Sequence, residues 1–522
     1  MLIEFPILTY IVLLPAVGAV FTYLTGSDRA ARAVALAFSL VVLGLSTVLL
    51  IGFLWPNVIS LPTMTTAGNH TYFAVEETPW VPSLHINYVM GADELSVVLV
   101  FLNALLTPLA LAISWDEHHR VPAFFAMFLF METTINGVFL SLDLFQFFVF
   151  WEVGLIPMYF LIAVWGGPRK KQAAFKFFMY TFLASLPLLL AIFAFYFYSN
   201  PNTPCTALGS SLPPCPFDMR AIIATTPIPA GTIGDLMFVA LLIAFGTKLP
   251  TWPLHTWLPD AHVEAPTGGS VILAGVLLKL GGYGLIRFNV QMIPQAAIDM
   301  YWLLALAGVI SILYGAVVCL AQDDLKRMVA FSSVSHMGFV TLGIAAGVYG
   351  FTISGRGAVL GLTGAIFQMF AHGLVSAALF MVAGSLGHKI GTRNISELGG
   401  IAKRAPRMAT FMMISFMASL GLPGLVGFVA EFSVFLGVYA AFGLLVFVPI
   451  LTVILTAAYF IWAMQRAIFG PLNPKWEAMP DLHRFEVAPL AVLVASFAVF
   501  GIVPVLFLSL ISNWAQGILG GL

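Results

Sequence analysis

Long apolar blocks, separated by short polar stretches, run through the whole chain. Most blocks contain about 20 residues or more, the length that crosses about 30 Å of hydrocarbon as an α-helix. The blocks are continuously apolar and lack the alternation of a transmembrane β-strand, which favours helices over a barrel. The pattern predicts an all-α integral membrane protein with about fourteen transmembrane helices, at residues 3–24, 30–54, 95–115, 123–142, 144–165, 173–198, 233–249, 270–290, 300–320, 328–349, 357–386, 408–438, 442–469 and 487–515.

The composition indicates the same class. Of the 522 residues, 60 % are hydrophobic and 9 % are charged, and the mean hydropathy is +1.00. A water-soluble monomer this apolar would expose large hydrophobic patches, so the lipid bilayer is the expected surrounding. The net charge of −1 gives no basic surface for nucleic acid. The first block follows the acid Glu4 rather than Lys or Arg, so it is expected to be a span and not a cleavable signal peptide.

Basic residues concentrate on one side of the predicted bundle. When alternate loops are assigned to opposite sides, one side receives only Arg220, Arg287 and Arg356. The other side, called the basic face below, receives seventeen: Arg29, Arg32, Arg120, Arg169, Lys170, Lys171, Lys176, Lys326, Arg327, Lys389, Arg393, Lys403, Arg404, Arg407, Arg466, Lys475 and Arg484. This asymmetry marks the basic face as cytoplasmic, so both termini are expected on the outer side. Lys248 and Lys279 are left over, inside apolar blocks.

The cysteines and glycines show no redox centre. Cys205 and Cys215 lie in a predicted outer loop, where a disulfide and two free thiols are both compatible with the sequence, and Cys319 is expected to pack inside a span. The chain has no CxxC cluster, no Gly-rich dinucleotide loop and no paired histidines at haem spacing. We therefore expect no bound cofactor and no metal in this chain, and an energy source that lies in partner proteins.

Ionisable residues inside the apolar blocks are the main functional candidates. A charge at the centre of a bilayer costs about 2.5–3.5 kcal/mol or more, and such residues usually mark a transport path. Structural ion pairs and satisfied core histidines are the alternative interpretation. The candidates for a proton path are Glu152, Lys248, Lys279, His336, His372 and Glu431.

Helix-breaking residues accompany three of these candidates. Proline removes a backbone donor and glycine loosens a helix, so each span is expected to be interrupted beside its ionisable group. Broken helices beside buried charges are typical of transporter sites. The residues concerned are Pro250 and Pro253 after Lys248, Gly281, Gly282 and Gly284 after Lys279, and Gly421, Pro423, Gly424 and Gly427 before Glu431.

Proton exchange is the chemistry that these residues suggest. Burial disfavours the charged form of an amine and a nearby carboxylate restores it, so a Glu–Lys pair can take up and release a proton. Glu152 paired with Lys248 is a hypothesis for such a switch, with Lys279, His336 and Glu431 as successive carriers.

An internal duplication fits the order of the spans. The fourth to eighth spans match the ninth to thirteenth, and an odd number of helices turns the second copy upside down in the membrane. The predicted organisation is a three-helix segment at 1–115, a first five-helix repeat at 121–290, a second inverted repeat at 297–470 and a C-terminal helix at 485–522.

Two motifs give a family resemblance. The run KLPTWPLHTWLPDAHVEAPTGGSVILAGVLLKLGGYG at 248–284 and the run QDDLKRMVAFSSVSHMGF at 322–339 resemble the antiporter-like membrane subunits of proton-pumping NADH:quinone oxidoreductase, respiratory complex I. The resemblance extends over nearly the whole chain. The same fold is similar to subunits of multisubunit Na+/H+ antiporters and membrane-bound hydrogenases. Glu431 stands where the L and N types carry lysine, so the chain is similar to the M type and to mitochondrial subunit 4.

The resemblance implies roles and partners. Glu152 and Lys248 would be the family's pair on the fifth and seventh helices, Lys279 its central lysine and Glu431 its exit-side residue, with His336 and His372 lining the axis between them. The chain would be a non-redox, proton-translocating subunit, with FMN, Fe–S clusters and quinone held by partner subunits. L-like and N-like chains would be its membrane neighbours, in a bacterial inner membrane with both termini periplasmic, or in a mitochondrial inner membrane if organellar.

Other interpretations stay open from the sequence. A Na+/H+ antiporter subunit would use the same carriers without a redox engine, and a membrane scaffold would keep the buried ion pairs for specificity.

Three further groups of polar residues are ambiguous. A metal site is one interpretation of the loop after the seventh span, and a structural or proton-uptake role is favoured over it. A cluster of acids and bases at the start of a helix fits both capping and proton uptake. Two acids near the fourth and fifth spans fit either a charge network or an interface. The three groups are His255, Asp260, His262 and Glu264; Asp323, Asp324, Lys326 and Arg327; and Glu132 and Asp143.

Overall fold

A computed structural model describes residues 5–61, 65–67, 70–199, 216–353 and 355–519, and most of them are helical. Among these residues, eleven helical segments are long and apolar enough to cross a membrane. The shorter apolar helices Ile7–Tyr23 and Val505–Leu519 accompany them. The predicted helical membrane fold is thus confirmed, whereas the count of about fourteen spans and the division into two inverted repeats stay predictions.

The described residues of the first half of the chain form nine α-helices. Side-chain caps define several of their starts; Asp93 accepts the N–H of Ser96 before the third, and Asp143 accepts those of Phe145 and Gln146 before the fifth. The fifth and sixth helices are separated only at Gly154 and form one span. The bounds are α1 Ile7–Tyr23, α2 Asp28–Leu54, α3 Glu94–Ile113, α4 Val121–Leu140, α5 Leu144–Val153, α6 Leu155–Trp165, α7 Lys170–Tyr198, α8 Met219–Thr225 and α9 Thr232–Lys248.

In the second half, the part of the chain that the structure describes contains twelve more α-helices. They are α10 Leu258–Glu264, α11 Thr267–Ile272, α12 Leu278–Gly284, α13 Pro294–Leu320, α14 Leu325–Ile353, α15 Arg356–Ile390, α16 Ile401–Arg404, α17 Pro406–Ser419, α18 Val426–Phe442, α19 Phe447–Met464, α20 Arg484–Ile502 and α21 Val505–Leu519. Short π-helical stretches lie at Leu273–Leu277, Leu285–Met292 and Gln465–Phe469. The apolar windows of the eighth span, α14 and α15 are buried throughout, so these segments form the centre of the bundle.

Two of the three predicted interruptions are present. Residues 249–257 separate α9 from α10, and residues 420–425 separate α17 from α18. At the first, Trp257 Nε1 donates to the carbonyl of Thr247 (2.9 Å), a group that the broken helix leaves open. At the second, Gly421 and Gly424 adopt φ of +80° and +91°, conformations that residues with a Cβ avoid.

The interruption predicted beside Lys279 is wrong. Residues Thr267–Met292 run as one continuous helical span, with π-helical turns on both sides of Lys279 rather than a gap. Gly281 lies against the backbone of α9, where an added Cβ would meet the carbonyl oxygen of Phe245 and come within 2.5 Å of Leu249 N. Glycine is needed here for close helix packing, and the chain stays helical.

The last predicted span is two helices instead of one. The region 487–515 was expected to be continuous, but α20 ends at Ile502 and α21 starts at Val505. Pro504 explains the break, because proline lacks an N–H and disfavours helical geometry at the residue before it.

The loop at 55–94, which the sequence predicted on the outer side, contains a small β-sheet that the helical prediction omitted. Its strands are β1 Thr65–Ala67, β2 His70–Val81 and β3 Ile86–Ala92, antiparallel in the order β1-β2-β3. The carboxylate of Glu76 accepts the backbone N–H groups of Leu8 (2.8 Å) and Thr9 (3.0 Å), so the sheet caps the first turn of α1. Cys205 and Cys215 lie outside the described residues, and Cys319 is buried as a free thiol.

Candidate proton path

Lys279 sits at the centre of the bundle. Its side chain is fully buried, and its ammonium donates to the carbonyl of Ala274, one turn back on its own span. Lys279 Nζ also lies 2.8 Å from Nδ1 of His372 on α15. The π-helical turn at Leu273–Leu277 carries that carbonyl, and such turns are frequent at functional sites because they free backbone groups.

Two histidines continue from Lys279 toward α18. The rings of His372 and His336 lie 5.6 Å apart between centroids. His336 Nδ1 is 3.3 Å from Glu431 Oε1, and His336 Nε2 is 3.3 Å from the hydroxyl of Ser419. All these polar groups are buried. Four of the six predicted residues therefore form one connected series, Lys279–His372–His336–Glu431, called the axial series below.

The break between α17 and α18 makes room for Glu431. Gly421 lies so near that an added Cβ would stand 2.9 Å from Glu431 Oε2. A small cavity with space for about one water molecule borders the carboxylate. It is lined by His336, Gln368, Ala371, His372, Val375, Ala418, Ser419, Gly427 and Glu431. The helix-breaking glycines thus create space around an ionisable group, as the sequence pattern indicated.

Lys248 and Glu152 lie apart from the axial series. Lys248 ends α9, with its ammonium 3.7 Å from the ring centroid of Trp151 and 3.4 Å from the Trp151 carbonyl. Glu152 follows Trp151 on α5 and is half-buried, and Glu152 Oε1 has no hydrogen-bond partner among the described residues. The two charges interact electrostatically but do not form an ion pair within 4 Å in the described structure. An aromatic ring, rather than the predicted carboxylate, covers the amine.

The polar residues of the loop after α9 lie apart from one another and do not form a common site. Asp260 pairs with Lys176 (2.6 Å) and Glu264 with Arg169 (3.3 Å), both on or beside α7. His262 is fully buried. Within the described ranges, no three His, Cys, Asp or Glu side chains gather closely enough to hold a metal ion. These two acids have basic partners instead, as a structural role requires.

Two residues of the cluster at the start of α14 have different roles, since Asp324 caps the helix and Lys326 is buried. Asp324 accepts the N–H of Arg327 (3.0 Å) and pairs with Arg393 (3.3 Å), which fits the capping interpretation. Lys326 is instead buried, and its Nζ donates to the carbonyl of Ala265 (2.9 Å). The sequence count had placed Lys326 among the loop residues of the basic face, which gave no indication that its side chain is buried.

Two arginines counted as outer-loop residues are buried ion-pair partners. Arg287 is 1 % exposed and lies 2.5 Å from Asp93 Oδ2, which also accepts Trp514 Nε1 (2.7 Å). Arg220 is fully buried between Asp218 (2.7 Å) and Glu77 (2.6 Å). Both arginines, counted from the sequence as loop charges, are therefore buried ion-pair partners; Arg287 pairs with the distant Asp93, and Arg220 pairs with the neighbouring Asp218 and the distant Glu77.

The two ambiguous acids near the fourth and fifth spans behave differently. Glu132 is 1 % exposed, and neither carboxylate oxygen has a hydrogen-bond partner among the described residues. Asp143 accepts three backbone N–H groups at the outer end of α5, those of Asn87, Phe145 and Gln146. Burial raises the pKa of Asp143 to about 7, and the nearby Asp218 adds to that shift. Asp143 thus caps α5 and joins it to β3, and Glu132 makes no hydrogen bond or ion pair with the axial series in the described structure.

Comparison with known proteins identifies the family of this chain. The family described as NADH:quinone oxidoreductase/Mrp antiporter, TM matches residues 141–456. The chain belongs to this family. Subunit M of F(420)H(2) dehydrogenase from Methanosarcina mazei is 39 % identical over 98 % of both chains. Subunit M of NADH-quinone oxidoreductase from Rhodobacter capsulatus is 39 % identical over 93 % of this chain and 90 % of that protein.

A solved structure agrees with these relatives. A chain of respiratory complex I from Thermus thermophilus, solved with bound NADH, superimposes with a TM-score of 0.83 at 27 % identity, over 98 % of this chain and 99 % of that one. The resemblance to antiporter-like membrane subunits of complex I, seen first in the motifs at 248–284 and 322–339, is confirmed. The multi-pass membrane location of the chain is confirmed with it.

Proposed function

We propose that this chain translocates protons across the membrane along the axial series, as a non-redox subunit of NADH:quinone oxidoreductase. The observation that carries the proposal is the connected contact series from Lys279 to Glu431. Each member can hold or pass a proton, and successive groups lie within hydrogen-bond distance or in ring contact. A purely structural network would not need two histidines between a lysine and a glutamate.

Glu152 and Lys248 form the other end of the proposed path. Trp151 shields the ammonium of Lys248 by a cation–π contact, so Glu152 can approach or withdraw without leaving the amine bare. A half-buried carboxylate with an unpartnered oxygen is suited to such movement. We therefore assign Glu152 and Lys248 as the switch that loads the axial series.

The names of the relatives support the partner subunits and the membrane that we propose for this chain. Redox chemistry, with FMN, Fe–S clusters and quinone, would occur in partner subunits, and L-like and N-like chains would adjoin this one in the membrane. NADH is the proposed donor, although the Methanosarcina relative is named for F420H2. The basic face would be cytoplasmic in a bacterial inner membrane, with both termini periplasmic.

The decisive experiment replaces single members of the axial series in the assembled complex. In inverted membrane vesicles, Lys279→Met and Glu431→Gln should each lower NADH-driven proton uptake by about tenfold or more. Glu477→Gln is the matched control, because Glu477 is an exposed acid paired with Arg404 on the surface. Full pumping by both axial variants in an assembled complex would refute the proposal.

A Na+/H+ antiporter subunit is the second candidate, since the matching family description names Mrp antiporters. Purification of the tagged chain separates the two. Recovery of a flavin- and Fe–S-containing assembly that oxidises NADH supports the oxidoreductase. Sodium-driven collapse of a pH gradient by an assembly without these cofactors supports the antiporter.

A further inference from the structure

A row of four polar side chains runs along one side of the eighth span, from its centre to one of its ends. Residues four apart lie on the same side of a helix, and this spacing holds for Lys279, Tyr283, Arg287 and Gln291. The span begins at Thr267, which borders a cavity together with Lys326 of the basic face. The row therefore leads from the central lysine toward the end away from the basic face, called the far end below.

Arg287 occupies this row with hydrogen-bond donors only. Its Nε donates to the hydroxyl of Tyr283 (3.1 Å), and its Nη1 donates to Gln291 Oε1 (3.0 Å). Its Nη2 pairs with Asp93 Oδ2 (2.5 Å). A guanidinium has no acceptor atom and is not deprotonated in proteins. A proton that moves along the row can therefore neither bind to Arg287 nor be passed on by it.

The hydroxyl of Tyr283 stands between Arg287 and Lys279 in the row. It accepts from Arg287 and donates to the main-chain carbonyl of Phe139 on α4 (3.1 Å). A phenol has a single proton, and here that proton points to a carbonyl rather than to the lysine. In this arrangement Tyr283 does not connect Lys279 with the far end.

Asp93 is a carboxylate beside the far end of the row, and donors face both of its oxygens. Oδ1 accepts the N–H of Ser96 (3.0 Å), and the Ser96 hydroxyl lies 2.9 Å from the same oxygen. Oδ2 accepts Trp514 Nε1 of α21 (2.7 Å) in addition to the guanidinium of Arg287. Hydrogen bonds to a carboxylate favour its charged form. Asp93 is thus kept from taking up a proton.

Large side chains enclose the ion pair. The guanidinium carbon of Arg287 lies 5.6 Å, 5.2 Å and 5.8 Å from the ring centroids of Tyr72, Tyr283 and Trp514. Arg287 and Asp93 are each only 1 % exposed, so bulk water does not reach them. An arginine in a narrow passage is a barrier that excludes protons and cations from membrane pores.

We propose that Arg287 seals the far end of the eighth span, so that a proton on Lys279 continues along the axial series. This inference rests on the proposed function and adds a residue that directs protons without carrying them. Without the guanidinium, Asp93 would bind a proton from the far side. Its carboxyl group would then give that proton to the Tyr283 hydroxyl oxygen, while Tyr283 gives its own proton to the Lys279 amine. The reverse transfers would let protons leak outward.

The passive proton conductance of the purified complex, measured without NADH, tests the seal. In proteoliposomes with an imposed pH gradient, Arg287→Met should speed collapse of the gradient by about tenfold or more, because Asp93 becomes a proton carrier. Arg287→Gln also removes the charge, keeps an amide donor and should leak too. Asp93→Asn should not leak, since an amide carries no proton and Arg287 remains. Arg220→Met is the matched control, because Arg220 is a fully buried arginine paired with Asp218 (2.7 Å) outside the row.

The difference between the two partners separates a seal from a structural anchor. Removal of either partner of a buried ion pair leaves the other uncompensated, so an anchor alone predicts equal effects of Arg287→Met and Asp93→Asn. Equal leaks from these two variants, or an Arg287→Met complex as tight as the wild type, would overturn the seal.

A double variant tests whether the leak passes through the central lysine. Lys279→Met combined with Arg287→Met should be tight again, and a leak that persists in it would contradict the seal. The conductance is measured without redox turnover, so it is independent of the pumping experiments. If Lys279→Met abolishes NADH-driven pumping while Arg287→Met stays tight, the seal alone fails and the proposed function stands. If Lys279→Met pumps normally, the proposed function itself fails.

Discussion

Lys279 Nζ lies 2.8 Å from Nδ1 of His372, although the two residues are far apart in the sequence and sit on different spans. The ammonium also donates to Ala274 O, so one of its protons already points to its own helix. His372 must therefore offer its Nδ1 lone pair to the ammonium whenever Lys279 is charged. This contact joins the central lysine to the second half of the bundle.

Replacement of His372 should interrupt the axial series. His372→Phe keeps the size of an aromatic ring but removes both nitrogens, so Lys279 loses its acceptor and His336 its neighbour. We expect NADH-driven proton uptake in vesicles to fall by about tenfold or more, with the complex still assembled. Ser376→Ala, one turn away on the same helix face, is the control and should pump normally. Equal pumping by the two variants would show that protons bypass His372.

Gly281 should tolerate no side chain. Gly281→Ala places a methyl group against the Phe245 carbonyl and the Leu249 amide of α9, and backbone cannot move aside as a flexible side chain can. Overpacking of this kind costs about 1–3 kcal/mol. Gly44→Ala, on α2 with nothing near its Cβ, should be neutral or slightly stabilising because alanine favours helices. Thermal unfolding of the purified chain in detergent compares the two; equal midpoints would contradict the packing argument.

The sequence indicated which ionisable residues lie inside the bundle better than it indicated their surroundings. Apolar blocks with isolated charges identified all six candidates, because burying a charge in a membrane is too costly to be incidental. Pro250 and Gly421 correctly indicated breaks, whereas Gly281 did not. A glycine can loosen a helix or let a neighbour approach, and only the position of α9 distinguishes these uses.

Contacts between distant segments account for the other errors. Arg287 was assigned to an outer loop because loop counts see only local sequence, while its counter-ion Asp93 precedes it by nearly two hundred residues. His262 and Lys326 were ambiguous for the same reason, since Lys326 contacts Ala265 and His262 stacks on Phe380, both in other segments of the chain. The sheet at 65–92 was missed because its longest strand, β2, contains Glu76, Glu77 and Pro79, residue types that are depleted in strands.

The outer sheet should loosen in acid through His70. Burial lowers the pKa of His70 to about 4, and Arg287 adds to this shift while Asp93 opposes it. The folded chain thus binds this proton more weakly than the unfolded chain, whose His pKa is about 6.5. Stability from His70 is therefore present above pH about 6.5 and is lost as the pH falls toward 4.

Hydrogen exchange measures this loss. Backbone amides of β2 should exchange faster at pH 5 than at pH 7, after correction for intrinsic rates, and His70→Gln should remove most of the difference. Burial raises the pKa of the Asp93 carboxyl, but the Arg287 guanidinium and hydrogen bonds outweigh burial and hold that pKa below its usual value, so the contribution of Asp93 is lost only at lower pH. His118→Gln, at an exposed position on the other side of the bundle, is the control. A pH dependence that persists in His70→Gln would assign it to another group.

The ring of Trp151 should stabilise the buried ammonium of Lys248. A desolvated cation–π contact contributes about 2 kcal/mol, against about 0.5–1 kcal/mol at an exposed site. Trp151→Leu leaves the Lys248 ammonium with the main-chain carbonyl of residue 151 and the electrostatic attraction of Glu152, so both thermal stability and proton pumping should fall. Trp151→Phe keeps a weaker aromatic face and should retain intermediate values of both.

A second cation–π pair in the same chain supplies the control for Trp151. Arg466 lies 4.3 Å from the ring centroid of Trp462, on an exposed surface. Trp462→Leu should therefore change the unfolding midpoint only slightly and leave pumping intact. If Trp151→Leu and Trp462→Leu behave alike, the ring does not stabilise the buried ammonium, and Glu152 alone must balance the charge of Lys248. That result would favour a direct Glu152–Lys248 ion pair in the working complex over the ring-covered amine.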